Sequence, residues 1–495
     1  MFTEVALSAS STDSTIYVWD IRSGSTLFSF KQSMSPKAGL ARVPRPGATL
    51  QTGAILTAQT DRAVLNVYGW QRDQILHKMT TPEKIITVTA SHQGAYVAGA
   101  TATGRVYLWH IATGHLLRVF EAHYRAITRL AFSDDDTTLL TASEDASVNV
   151  WVLANLLDTT QSDDQHDAME RPSPLYSWSD HTLPITDMHV GCGTMAGARV
   201  YTASQDHTVK LWDLATGKHL TTFLFPKPVS VVVVNPSESM LFAACEDKIY
   251  SVELYRRRQD KTYGTHTVES VGGMGKVESV GIKTVDPISS KIQASSEPSL
   301  GTVFSGHTGP ITGLSLSFDD SLLVSSSEDG NCIVWDVASR QPLRKFESHK
   351  GHVTFVSCFL RPAELLTGAS SQKITPMAWK PFKRAMVSQE EERRNGSEQI
   401  VMDTHMDLKQ HQQLVEAGPL YSSLPTPTES IQKAKIMLKE MKTEDSSTSL
   451  QSQVTALQSE LIRLNEHHGK VKALHDELYN TMVDEFVSKR RKHTA

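Results

Sequence analysis

The sequence predicts an all-β fold, a seven-bladed β-propeller closed on itself, followed by an α-helical coiled coil. Three observations predict it. An Asp stands six residues before a Trp at the end of a strand-like run four times, as Asp13/Trp19, Asp145/Trp151, Asp206/Trp212 and Asp329/Trp335. A His precedes three of these units, His123, His181 and His307, each ahead of another strand-like run; the fourth lies too near the first residue to carry one before it. A strand-like run near 352–359 follows His349 late in the chain and belongs to no complete unit. Repetition at a period of about 40 residues, with His…Ser/Thr-x-Asp…Trp-Asp, is the WD-repeat pattern of propellers.

Each part of the repeat has a physical job. Leu322-Leu323-Val324 and Cys332-Ile333-Val334 read as short buried strands joined by the polar turn Glu328-Asp329-Gly330-Asn331. A buried carboxylate needs partners, and a His ring N–H with turn backbone N–H groups supplies them. A Ser or Thr then links that His to the indole N–H of the Trp, so one polar chain ties three strands together. Such sets imitate a hydrolase triad, but no enzyme needs one triad in four repeats. They read as structural.

Along the chain, strand-end units fall at Trp19, Tyr68/Trp70, Trp109, Trp151, Trp212, Tyr250 and Trp335, which makes seven. The step from His to the next apolar strand residue is four both from His123 to Ile127 and from His349 to Val353. The late strand is therefore expected to complete the N-terminal unit by pairing with residues near 4–31, bringing His349 to Asp13 and Trp19. Closure of this kind removes sheet edges that would otherwise invite aggregation. The stretch from Glu364 to Trp379 resembles two more repeat strands and leaves a partial eighth blade as an alternative.

Composition excludes several classes. A 39% apolar content suffices for a core, and a net charge of −5 gives no whole-protein case for nucleic-acid binding. Cys192, Cys245, Cys332 and Cys358 lie far apart and read as buried thiols in a reducing compartment, not as disulfides or a zinc site. No signal peptide and no run of about 18 apolar residues is found. Two insertions interrupt the ring. Residues 154–175 carry Asp158, Asp163, Asp164, Asp167 and Glu170 and read as a solvated loop. Residues 256–300 open with Arg256-Arg257-Arg258, and a loop of that length without firm pattern is usually disordered or functional. Within it, Gly272-Gly273-Met274-Gly275-Lys276 fails as a phosphate loop, because Ser270 and Val277 stand where Gly and Ser/Thr are required. No cofactor is expected.

The expected ring occupies 1–380, a partly helical linker 381–427, and a helical region 428–495. Thr426-Pro427-Thr428-Glu429 forms a capping box with Pro at the first helical position, and Ile431, Ala434, Leu438 and Met441 follow on one face. Then comes a heptad seam: Leu450, Val454, Leu457, Leu461, Leu464, Val471, Leu478 and Met482, with His468 and His475 as its polar members. A helix over 450–486 would reach roughly 55 Å. The run Lys489-Arg490-Arg491-Lys492 near the end suits nuclear import, RNA-backbone contact or simple solubility.

The run Trp178-Ser179-Asp180-His181-Thr182-Leu183-Pro184-Ile185-Thr186-Asp187, with His189 and Gly191-Cys192-Gly193 after it, resembles the WD-repeat proteins that act in processing the ribosomal internal transcribed spacer. The order of parts also resembles them: an early WD-Ile-Arg unit, a long insertion before the penultimate full blade, and a two-part helical C-terminal region. The resemblance implies a non-enzymatic, nuclear scaffold subunit of a pre-60S ribosome-maturation complex, found in nucleolus and nucleoplasm. Its implied partners are a Rix/PELP-type helical-repeat scaffold, a further helical-repeat subunit and a midasin-type AAA ATPase. It further implies a homodimer through the coil, rRNA contact through Arg256–Arg258 and the basic tail, and no membrane. Two rival readings come from other classes. Trp19-Asp20-Ile21-Arg22 is similar to the WD-x-Arg motif that docks some propellers on a cullin-type ubiquitin ligase, and the acidic loop 154–175 would suit a chromatin peptide reader.

Overall fold

In a computed structural model of the chain, the described residues are 3–45, 53–70, 72–157, 172–259, 266–271, 275–280, 302–347, 349–362, 365, 377 and 379–385. The capping box, the heptad seam from Leu450 to Met482 and the tail Lys489–Lys492 lie outside them.

Seven antiparallel four-stranded blades follow one another, one of them with an added fifth strand. Blades 2 to 7 begin at Leu40, Ile85, Ile127, Ile185, Val231 and Ile311, and each is built outward from its first strand. Blade 1 is composite. Thr26–Lys31, Thr15–Asp20 and Glu4–Ser10 come from the start of the chain, and the fourth strand is Val353–Leu360. Val5 stands opposite Phe359, Leu7 opposite Ser357 and Ala9 opposite Phe355, so the late strand closes the ring as its spacing implied.

Side-chain alternation along each strand sends consecutive residues to opposite seams. Val5, Leu7 and Ala9 pack toward blade 2 with Leu40, Ile55 and Tyr68. Ala6 lies between them in sequence but packs toward blade 7 with Val334 and Phe346. Seven apolar clusters, one per seam, form the core of the described residues. Because both faces of every blade are covered, a strand such as Val148–Val152 is buried almost throughout.

Hydroxyls stitch the same seams at the inner strands. Thr87 donates to the Ile127 carbonyl at 3.0 Å, Thr186 to Val229 at 2.7 Å and Ser230 to Ile311 at 2.9 Å. Thr312 donates to Val353 at 2.5 Å and Thr354 to Ser35 at 3.0 Å, which carries the stitching across the point of closure. The local signal is an Ile or Val that enters the core, followed by a hydroxyl residue pointing the other way, as in Ile185-Thr186, Ile311-Thr312 and Val353-Thr354.

Four sequence expectations need correction. The long insertion lies inside the sixth blade, between Lys248–Glu253 and Thr302–Ser305, rather than before it. It is also partly regular. Tyr255–Gln259, which carries Arg256, Arg257 and Arg258, pairs with His266–Ser270, and Lys276–Ser279 adds in parallel to His219–Leu224 at the rim of blade 5. Val271 and the fully buried Val280 tie this insertion to the seam between blades 5 and 6, an anchoring hidden by its Ser- and Gly-rich composition. Trp379, read in the eighth-blade alternative as the end of further repeat strands, lies in no strand; with Phe382, which is past the expected end of the ring at 380, it packs against blades 2 and 3. Finally, Cys192 is exposed, while Cys245 and Cys332 are buried and Cys358 is half-buried, all four as free thiols. Burial pushes the thiols of Cys245 and Cys358 up to about 12. The acids of 154–175 lie outside the described residues, but the insertion opens with a short helix, Leu153–Leu157, whose Leu153 and Leu156 are buried.

Candidate functional site

The predicted polar residues assemble into four sets, in blades 1, 4, 5 and 7. In blade 4, His123 Nδ1 lies 3.0 Å from Asp145 Oδ2 and its Nε2 lies 2.7 Å from the Thr141 hydroxyl, which accepts the Trp151 indole N–H at 3.1 Å. In blade 5 the corresponding distances are 2.8 Å from His181 to Asp206, 2.8 Å to Thr202 and 3.0 Å from Trp212 to Thr202. In blade 7 they are 3.3 Å from His307 to Asp329, 2.7 Å to Ser325 and 2.8 Å from Trp335 to Ser325. Blade 1 builds its set across the closure: Ser8 meets His349 Nε2 and Trp19 Nε1 at 2.8 Å each, while His349 Nδ1 stands 3.5 Å from Asp13.

One proton arrangement satisfies the sets of blades 4, 5 and 7, while in blade 1 it holds at the hydroxyl and leaves His349 Nδ1 and Asp13 Oδ2 buried without a hydrogen bond. The indole donates to the hydroxyl, the hydroxyl donates to Nε2, and the Nδ1–H donates to the carboxylate. The hydroxyl is thus buried and engaged on both sides, a poor posture for a nucleophile. The motif's own Ser does something else: Ser143 accepts the Asp145 backbone N–H at 3.2 Å and donates to the Ala126 carbonyl at 2.9 Å. The linking hydroxyl lies four residues before the Asp in blades 4, 5 and 7, and five before it in blade 1. That extra residue accompanies the longer His349–Asp13 separation. The turn after the Asp needs a left-handed residue, which Gly330 supplies without strain at φ 83°, whereas Ala146 and His207 adopt φ of 65° and 67°.

Electrostatics follow from burial and bonding. Burial alone would raise the Asp145 and Asp206 carboxyls, but hydrogen bonds from the His and from Ser147 or Thr208 outweigh it and hold both below the usual carboxylate range. Asp329 is likewise raised by burial but lowered on balance, through the backbone N–H groups of Asn331 and Thr308. Burial lowers His307 and His349 below the ordinary 6.5. A depressed carboxyl contributes stability above its unfolded pKa and loses it as pH falls through the folded one. A depressed His is neutral in the fold but protonates on unfolding below about 6.5, so it too favours unfolding in acid. His307 and His349 belong to adjacent blades, so the seam between blades 7 and 1 is expected to loosen on acidification. Amide exchange in Val353–Leu360 should accelerate between pH 7 and pH 5 ahead of exchange in Ile127–Phe132, after correction for intrinsic rates; equal protection in both strands would contradict this. A local probe is needed because His92, raised chiefly by its hydrogen bond to Asp136, titrates with the opposite sign elsewhere.

Two further constellations were not anticipated. Asp134, Asp135 and Asp136 form a staple across three blades: Asp136 accepts the His92 and Gln93 N–H groups at 2.8 Å each, Asp134 the Gly193 N–H at 2.9 Å and Asp135 the Met195 N–H at 3.1 Å. Burial opposes ionisation of Asp135, yet its hydrogen bonds bring the carboxyl down to about 2. The consecutive acids after Ile127–Phe132 were the available signal. Arg129 pairs with the buried Asp187, which also accepts the Val232 N–H at 3.1 Å. Ile127-Thr128-Arg129 and Ile185-Thr186-Asp187 hold matching positions in neighbouring blades, and that correspondence could have revealed the pair. At the end of the ring where the inner strands begin is a cavity of about 540 Å³ lined in part by Lys37, Thr87, Glu144, Thr186 and Gln205. Among the described residues, no cluster of three His, Cys, Asp or Glu is placed to hold a metal ion.

The Trp178–Asp187 run has a structural role at nearly every step. Trp178 stacks on Trp212 with centroids 4.7 Å apart and donates to the Gly217 carbonyl at 3.0 Å, His181 enters the polar set, and Asp187 reaches back to blade 4.

Comparisons with known proteins agree with this architecture. The family described as WD domain, G-beta repeat matches residues 114–152 and 298–336, and the TEP-1 C-terminal beta-propeller family matches 181–255. The chain is 32% identical over 358 residues to the pre-rRNA-processing protein crb3/ipi3 of Schizosaccharomyces pombe, covering 70% of this chain and 74% of that one. It is 31% identical over 352 residues to WD repeat-containing protein 18 of Homo sapiens, covering 71% of each. To the protein ROOT INITIATION DEFECTIVE 3 of Arabidopsis thaliana it is 30% identical over 346 residues, covering 70% of this chain and 69% of the other.

Proposed function

The chain belongs to the WD-repeat family that includes crb3/ipi3 of Schizosaccharomyces pombe and WD repeat-containing protein 18 of Homo sapiens, and on that premise we propose that it is a non-enzymatic scaffold acting in pre-rRNA processing. The observation that carries this reading is its kinship, over 70% of its length, with a protein named for pre-rRNA processing. The geometry supports the non-enzymatic part: the four sets that imitate catalytic triads have their hydroxyls engaged between His and Trp.

In finer terms the protein is a subunit of a nuclear pre-60S maturation complex. It joins a Rix/PELP-type helical-repeat scaffold and a further helical-repeat subunit, and helps position a midasin-type AAA ATPase on the large-subunit precursor. Residues 428–495 bring two copies together through the seam at Leu450–Met482. Arg256–Arg258 and Lys489–Lys492 supply backbone contacts to rRNA, and the latter run also suits nuclear import. The four polar sets hold the ring as a rigid platform for these contacts.

Depleting the chain from cells of its source organism should cause large-subunit rRNA precursors that retain the internal transcribed spacer to accumulate several-fold, read by hybridisation, while the small-subunit rRNA matures normally. Re-expression of the intact chain should reverse this. Unchanged precursor levels would overturn the reading.

A further inference from the structure

Blade 3 lacks the polar set, with Thr81 and Thr103 where blade 4 has His123 and Asp145, and it also lacks the linking hydroxyl. Blades 4, 5 and 7 place Thr141, Thr202 and Ser325 ten residues before their Trp; blade 3 has Gly99 ten residues before Trp109. A Cβ at Gly99 would come within 3.0 Å of the Trp109 ring, so the indole occupies the room that a side chain would need. The Trp109 N–H then turns to the chain that follows the ring and donates to the Lys383 carbonyl at 3.1 Å. The Lys383 N–H donates in turn to the Gly114 carbonyl at 2.7 Å. Phe382 stacks on Trp109, with centroids 5.3 Å apart and planes 7° apart, and Trp379 tilts against Phe382 at 6.2 Å. Arg384 Nε reaches the Thr80 hydroxyl at 3.1 Å.

The contact is specific without being part of a sheet. Gly114 has φ of 69°, and a Cβ there would meet the Pro381 carbonyl at 2.5 Å, so the groove admits backbone where a side chain would block it. Trp379 and Phe382 are 8% and 6% exposed, which makes them as inaccessible as core residues. Yet residues 379–384 belong to no strand, and the Trp379 indole N–H is buried without a hydrogen-bond partner. A buried N–H that leaves water and finds no acceptor opposes docking. Two stacked rings and a few hydrogen bonds favour it, so the segment is held by opposed terms rather than locked by a ladder.

We propose that the rim of blade 3 is a docking groove for an extended Trp-x-x-Phe-Lys segment, that residues 379–384 of this chain are its resident occupant, and that they form a releasable latch. Docked, the latch holds the chain at blade 3, two blades from the closing strand that ends at Leu360. Released, it uncovers Trp109 and frees the chain from that point. This inference does not depend on the role in pre-rRNA processing.

The test uses the full chain carrying Trp379→Ala and Phe382→Ala together, with a fluorescein-labelled peptide of residues 377–386 as the probe. By fluorescence anisotropy the double variant should bind the peptide with a Kd of micromolar order. The unaltered chain, whose groove is filled at a high intramolecular effective concentration, should bind at least about tenfold more weakly. Gly99→Thr added to the double variant should abolish binding. Independently of folding in any variant, the Lys383 amide of the unaltered chain should exchange at least about tenfold faster than amides in Ile127–Phe132, as local release requires. Equal peptide binding by the two proteins, or none by a cooperatively unfolding double variant, overturns the proposal. So does a double variant that no longer folds, or a Lys383 amide as protected as the blades, because the segment is then part of the ring.

Discussion

Trp212→Ala is expected to destabilise the ring by about 3–5 kcal/mol, the range for truncating a large buried aromatic. Trp212 stacks on Trp178 of the neighbouring blade, meets the edge of His219 at 5.1 Å and donates to Thr202 at 3.0 Å, so one substitution empties a seam and breaks a polar set. Asp329→Ala separates the polar contribution from the packing one. It removes the acceptor for the backbone N–H groups of Thr308 and Asn331 and for the His307 ring, and the buried ring left unpaired costs about 1–3 kcal/mol. Urea unfolding followed by tryptophan emission measures both variants. A catalytic role for the sets would instead leave stability unchanged and remove an activity; wild-type unfolding midpoints in both variants would refute the structural role.

Removing residues 428–495 is expected to leave the ring folded while abolishing incorporation into the complex. The ring closes at Leu360, and its last described contact with the following chain is made by Arg384, well before the cut. The truncated chain should therefore unfold with the same urea midpoint as the full chain, yet fail to recover the helical-repeat partners in affinity purification. A truncated chain that still enters the complex would show that the heptad seam is not the assembly element.

The ring was legible because its signals are both local and repeated. An Asp six residues before a Trp recurs with little variation, and the His349-to-Val353 step copies His123 to Ile127 closely enough to identify a strand displaced by more than 300 residues from its blade. The pairing of His with Asp across each turn followed from chemistry alone. The position of the linking hydroxyl did not, since Thr141, Thr202, Ser325 and Ser8 sit in β-runs full of other hydroxyl residues. Contacts between blades were harder still. Arg129 and Asp187 are 58 residues apart, and only their matching positions in neighbouring repeats connect them. The place of Trp379 was hidden for a related reason: an aromatic after a polar run looks like another strand end, and nothing in its local sequence shows that it packs with Phe382 on the seam of blades 2 and 3. In the long insertion, the strand Lys276–Ser279 is so short that its order comes from its parallel neighbour and from Val280 rather than from its own pattern.

The role in large-subunit maturation is tested most directly by what the intact chain carries with it. Tagged at its N-terminus and purified from native cells at moderate salt, it should bring a helical-repeat scaffold, a giant AAA ATPase and large-subunit precursor RNA. Recovery of a cullin adaptor in their place, or of chromatin alone, would contradict that role and leave the kinship as one of fold.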